Sequence, residues 1–247
     1  MNEVEAIVRE RDRDRYLSTF FAPDGKRPHL LALYAFNAEV VKVRDVVSEP
    51  HLGMIRLQWW RDTIEGICQG AAAPQHPVAV ALAGAIAEGG LPKQALLDLV
   101  TAHEFDLFHD PMPGLTELEA YLGEAWSRLI VMAAMVLDRE AAPRASECAG
   151  LAGVAQGLAL ILGDPRHRGP FLPQGMDVKA VLGHAENRLA QAMALLPQLP
   201  RSVLPAFLPV SLTGLYLAKI DRRPEVPLQV SALRRQWHMW WTAKRWG

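Results

Sequence analysis

The chain has 247 residues, half of them hydrophobic, with 26 Lys and Arg against 27 Asp and Glu. That is enough apolar material for a sizeable core, and the balanced charge excludes a protein built for broad nucleic-acid affinity. Two cysteines, Cys68 and Cys148, exclude a disulfide framework and fit a reducing compartment.

Apolar residues recur at three- and four-residue spacing, and β-branched alternation is scarce, which predicts an all-helical chain. The opening "MNEVEAIVRERDRDRY" is charged and has no apolar h-region. It reads neither as a secretory signal nor as a transit peptide, and it starts a helix over roughly 3–20. Further helices are expected at roughly 28–48, 52–69, 77–88, 92–108, 115–137, 144–163, 177–197, 202–217 and 227–245. Gly- and Pro-bearing joints such as "APDGKRP", "QGAAAPQHP", "GDPRHRGPFLP" and "DRRPEVP" punctuate them. Long helices and short joints predict one bundle, a single domain over 1–247. No window reaches ~18 uninterrupted apolar residues, so no spanning helix is expected, and the protein is soluble or peripheral.

Four stretches carry candidate chemistry. In "MIRLQWWRDTIEGI", Met54, Leu57, Trp60 and Ile64 trace a core stripe, with Arg56 and Arg61 on the outer face or in a cavity. In "TAHEFDLFHD", His103, Asp106 and Asp110 fall near one helical face with His109 close by. These types could bind a divalent metal, but the spacing is not that of a zinc-protease helix, and a solvated helix end is the simpler expectation. In "GDPRHRGPFLP", Arg166, His167 and Arg168 follow Asp164. Basic groups beside a helix end can hold a phosphate, and an exposed loop accounts for them equally well. In "LRRQWHMWWTAKRWG", Trp237, Trp240 and Trp241 are flanked by Arg234, Arg235, Lys244 and Arg245. That is the composition of an interfacial helix touching a membrane surface; the alternative is a last helix packed on the bundle.

Several segments taken together resemble one family. "DRYLSTFFAPDGKRPHLLALYAF", "YLGEAWSRLIVMAAMVL" and "AQGLALILGD" followed by "RGPFLP" are similar, in order and spacing, to the squalene and phytoene synthases over roughly residues 14–246. The resemblance implies an all-α, single-domain isoprenoid synthase bundle around a central cavity. Active members carry two Asp-x-x-x-Asp motifs on facing helices. Carboxylates at i and i+4 share a helix face, and two such pairs hold the Mg²⁺ ions that neutralise a diphosphate leaving group. By this resemblance the first motif falls at Val41 and Asp45, and the second at Asp164 and Arg168. Each has lost one acid. Glu49 lies one turn beyond Asp45, but Pro50 pushes it out of helical geometry.

Within the family, "AFNAEVVKVRDVVSE", "IRLQWWRDTIEGI" and "PQHPVAVAL" resemble the respiratory complex I assembly factor 6 branch, in which "AFN-x-E" replaces the first Asp motif. The implied role is non-catalytic: help in assembling the NADH dehydrogenase, with complex I subunits or assembly intermediates as partners. Two rivals stand beside it. One is an active Mg²⁺-dependent transferase that condenses two prenyl diphosphates head to head, using Asp45, Asp164 and Glu49, with Arg166 and Arg168 on the diphosphate. The other is a module that holds a prenyl chain or lipid. No cofactor is expected outside the transferase reading, no nucleic acid is expected as partner, and the location is cytoplasmic or peripheral at the inner membrane. Whether Asp45 and Asp164 face each other across one open cavity separates the readings.

Overall fold

The structure is a computed structural model, and it describes residues 2–108, 110–166 and 168–246. Among these the regular elements are all helical. The expected helix over 3–20 is two helices, α1 (Glu3–Arg11) and α2 (Arg13–Ser18). Asp12 separates them because its side chain accepts from the Arg15 N–H and caps α2. Then follow α3 (Arg27–Val46), α4 (Pro50–Cys68), α5 (Pro77–Ala87), α6 (Lys93–Ala102), α7 (Leu115–Leu122) and α8 (Arg128–Leu137). The second half holds α9 (Ala142–Leu162), α10 (Val178–Leu195), α11 (Leu204–Phe207), α12 (Thr213–Arg222) and α13 (Ala232–Trp246). Proline in the first turn starts α3, α4, α5 and α9, where no N–H partner is needed. Gly70, at φ 87°, ends α4: its N–H reaches the Ile67 carbonyl and that of Ala71 the Gly66 carbonyl.

Boundaries depart from periodicity where side chains intervene. The stretch 115–137 is continuous, but Gly123–Ser127 is one π-helical turn, a local widening that re-phases the helix. The helix expected at 92–108 stops at Ala102 and gives way to the 3-10 turn Phe105–Leu107. Pro205 and Pro209 break 201–222 into short 3-10 and α pieces. The last helix starts at Ala232, later than expected, because "EVPLQV" stays extended or in turns.

At the centre lies α9, packed by α10, α8, the π turn and α12. It can be surrounded because its contact face is small: Ala145, Ala149, Ala152, Gly153 and Ala159 are buried. A Cβ on Gly153 would lie 2.4 Å from the Cα and N of Ser127, so the helix and the π turn meet backbone to backbone. Leu115–Leu137, Ala142–Leu162 and Arg201–Arg222 are long and apolar enough to cross a membrane, contrary to the expectation from uninterrupted runs. Their most apolar windows are 61%, 67% and 72% buried within the bundle, so that apolarity serves the core.

Candidate functional site

A cavity of about 510 Å³ opens where the α1–α2 junction meets α3, α9 and the π turn. Val41 and Asp45 of α3 line it, as do Trp126 and Leu160. Its charged wall is built by Asp12 and Arg15. Arg15 is buried and donates to Asp12 Oδ2 at 2.6 Å and to Gln156 Oε1 at 3.2 Å, which ties α2 to α9. Burial works against the Arg15 charge, but the Asp12 carboxylate outweighs it and raises the guanidinium above its ordinary value. Tyr34 lies under that guanidinium at 5.9 Å, and burial pushes its hydroxyl up to about 12.

The second wall is an ion pair across the whole chain. Arg235 of α13 donates to Asp14 Oδ1 at 2.7 Å, and the Tyr216 hydroxyl donates to Asp14 Oδ2. Burial pushes the Asp14 carboxyl up, against the pull of Arg235 and of the Tyr216 hydrogen bond. Asp14, Leu160 and Arg235 line both the large cavity and a smaller one of about 240 Å³. Arg235 therefore turns inward, with its guanidinium 5.7 Å from the Tyr216 ring centre. As a membrane contact it is corrected: its charge is already engaged by Asp14.

The two motif positions implied by the resemblance line different cavities. Asp45 lines the large cavity, with its side chain 50% exposed and 3.4 Å from Arg44. Asp164 lines the small one and accepts from Arg166 Nε at 3.1 Å. Arg166 stands beside it, exposed, while Arg168 faces neither cavity. Arg168 is buried and donates to the Pro224 carbonyl and, at 2.7 Å, to Glu225, so it anchors the joint between α12 and α13. Glu49 is extended, at φ −133° and ψ 136°, and its carboxylate meets His51 at 3.2 Å. His167 and His109 lie outside the described residues.

One expectation is overturned by packing. His103 and Asp106 are not a solvated helix end: their side chains are only 2% and 3% exposed. His103 Nδ1 and Asp106 Oδ2 are 2.7 Å apart, and the Tyr121 hydroxyl donates to Asp106 Oδ1 at 2.6 Å. Burial, then the Asp106 carboxylate, pushes Tyr121 well above its ordinary value. This trio closes the floor between α6 and α7. Local periodicity could not disclose it, because Tyr121 comes from the next helix. Arg61 is likewise engaged, by Glu104 and Thr101 of α6 and the residues after it.

The residues present do not fit a Mg²⁺–diphosphate site. Among the described residues no three His, Cys, Asp or Glu are grouped to hold a metal ion, and Asp45 and Asp164, the acids at the motif positions the resemblance implies, line different cavities.

Residues 8–168, more than half of the chain, match the squalene/phytoene synthase family. The chain belongs to this family. Its bundle superposes on a dehydrosqualene synthase in complex with ligand at a TM-score of 0.78, with 18% identity, covering 98% of this chain and 94% of that one. The family member squalene synthase HpnC from Alicyclobacillus acidocaldarius gives a TM-score of 0.73 at 18% identity, over 91% and 94% of the two chains. Those likenesses are of fold. In sequence the chain is similar to "NADH dehydrogenase (ubiquinone) complex I, assembly factor 6": 33% identical to the protein of Homo sapiens over 73% of this chain and 54% of that one. The protein of Rattus norvegicus is 30% identical over 87% and 72%. The chain thus spans about half the length of the human relative it matches, 54%.

Proposed function

We propose that this family member is a non-catalytic assembly factor for the respiratory NADH dehydrogenase, acting on complex I subunits or assembly intermediates. The observation that carries the reading is that Asp45 and Asp164 line different cavities, while the Asp14–Arg235 pair lines both. A diphosphate ionises through metal ions held between facing carboxylate pairs. Here, by the resemblance, each pair keeps one acid, and a cation from α13 lines both cavities. The sequence relatives that carry an assembly-factor name support the same direction. No Mg²⁺ or other cofactor enters this reading. The place of action is the membrane surface where the client enzyme is built, with the Trp-rich helix α13 as contact.

The test has two arms. In the organism that encodes this chain, deletion of its gene should deplete assembled NADH dehydrogenase on native gels and lower NADH:quinone activity. An Asp45→Ala/Asp164→Ala copy should restore both as well as the unaltered gene does. The purified protein, incubated with Mg²⁺ and farnesyl or geranylgeranyl diphosphate, should release no diphosphate. Release that the double substitution abolishes would establish the transferase reading instead.

A further inference from the structure

Helix α13 has two faces. Met239 is fully buried against the bundle, Arg235 meets Asp14, and His238 contacts the Ser211 carbonyl at 2.9 Å. The other face carries Leu233, Trp237 and Trp241 at four-residue spacing, 79%, 67% and 55% exposed. Trp240 continues it and stacks on Trp237 at 5.5 Å. A second element joins this face. The turn after α2 holds out Phe20, 56% exposed, and Phe21. Between the turn and α13 runs an open groove of about 420 Å³, lined by Leu17, Phe20, Phe21, Trp237, Met239 and Trp240 with one polar neighbour, Gln236.

We propose that this composite surface docks on an anionic lipid bilayer, and that the groove between Phe20 and Trp237 receives one acyl chain. The inference rests on the reading that the protein acts at a membrane surface, and it adds the second element and the groove. Charge selects the occupant. Helix α13 contains no Asp or Glu, while Arg234, Lys244 and Arg245 are exposed. Cations also sit over the rims of the groove: Lys244 Nζ lies 4.2 Å from the Trp240 ring centre, and the Arg27 guanidinium 4.6 Å from that of Phe20. Arg27 is also paired with Glu5, so its contribution is the smaller. Indole rings with flanking cations suit the headgroup layer, where the ring is shielded from water and its N–H still finds partners. Basic side chains near such a surface add attraction to anionic headgroups. A water-exposed protein surface gains nothing from this arrangement, since each ring exposes apolar area.

The test uses the full chain and sedimentation with vesicles of mixed phosphatidylcholine and phosphatidylglycerol, compared with phosphatidylcholine alone. Binding to the anionic vesicles should exceed binding to the neutral ones at least tenfold and fall steeply at high salt. Arg234→Gln with Lys244→Gln should lower it about tenfold, and Trp237→Ser or Phe20→Ser several-fold each. These side chains are exposed, so the fold is not at risk, which circular dichroism checks. Lipids brominated along the acyl chain should quench tryptophan fluorescence, and Trp237→Ser should lower that quenching, with Trp240 and Trp241 carrying the remainder. Equal binding by Phe20→Ser overturns the composite surface. Equal binding to neutral vesicles overturns the choice of anionic lipid. No vesicle binding, with NADH dehydrogenase assembly lost in the Trp237→Ser strain, would make the face a protein contact and overturn the inference while leaving the assembly reading intact.

Discussion

Gly153→Ala should separate backbone packing from helix propensity. Alanine in a helix interior is favoured over glycine by about 1 kcal/mol, so with open space this change would stabilise. The structure reverses the sign. A Cβ at this position lies 2.4 Å from Cα, N and Oγ of Ser127, and two of those atoms are main chain. Neither can swing away, so α9 must move off the π turn, and Ser127 must lose its 2.8 Å hydrogen bond to the Gly150 carbonyl. Overpacking of this kind costs roughly 1–3 kcal/mol, and the lost hydrogen bond about 1 kcal/mol more. With the ~1 kcal/mol propensity gain set against these costs, a net destabilisation on the order of 1–3 kcal/mol is expected by urea unfolding, read as a lower midpoint at unchanged slope. Gly150→Ala is the control, since nothing lies within 4 Å of a Cβ there; it should be neutral or stabilise by up to ~1 kcal/mol. Stabilisation by Gly153→Ala would refute the close approach of α9 to the π turn.

Removing Asp14 with Asp14→Ala should cost about 3 kcal/mol by thermal unfolding, because Arg235 and the Tyr216 hydroxyl lose their buried partner; a loss below ~1 kcal/mol would mean that the wall is not closed in solution. Val41→Asp should cost ~1 kcal/mol or less, since Val41 is half-buried at a cavity open to water. Millimolar Mg²⁺ should not raise the melting temperature of that variant; a Mg²⁺-dependent rise would reveal a working metal site. Glu119 supplies a pH prediction: burial opposes its charge, but hydrogen bonds from Arg188 and His184 outweigh burial and hold the carboxyl below its ordinary 4.5. The stability it contributes is therefore present above that value and lost as pH falls through the lower folded value. Glu119→Gln should flatten the pH dependence of the urea midpoint between about pH 5 and 3, and an unchanged slope there would exclude the cluster.

The Asp14–Arg235 pair also changes the meaning of deleting α13. Truncation after Ser231 would remove Arg235 and the buried Met239 together with the exposed tryptophans. Such a chain should lose stability as well as any membrane contact, so single substitutions at Trp237 and Phe20 are the cleaner probes. The packed-helix view of the tail holds for the face that carries Arg235 and Met239, and the membrane view is the proposal made for the exposed face.

Helices and joints were legible in the residues alone. A helix follows from the spacing of apolar side chains within a dozen positions, and proline or glycine marks its ends by local sterics. That Val41 and Arg168 stand where active family members carry a carboxylate is what the resemblance implies. Where side chains point was another matter. Arg235 looked like one of several surface cations, yet it is the one that meets Asp14, 221 residues away. His103 looked solvated until Tyr121 and Asp106 enclosed it. Phe20 and Trp237 share a groove although nothing near either one refers to the other. Asp45 and Asp164 line different cavities, and Asp14 of α2 and Arg235 of α13 line both. Such facts depend on contacts between distant segments, which local periodicity does not encode, and on the burial that those contacts create, which decides whether a charge is solvated, paired or walled off.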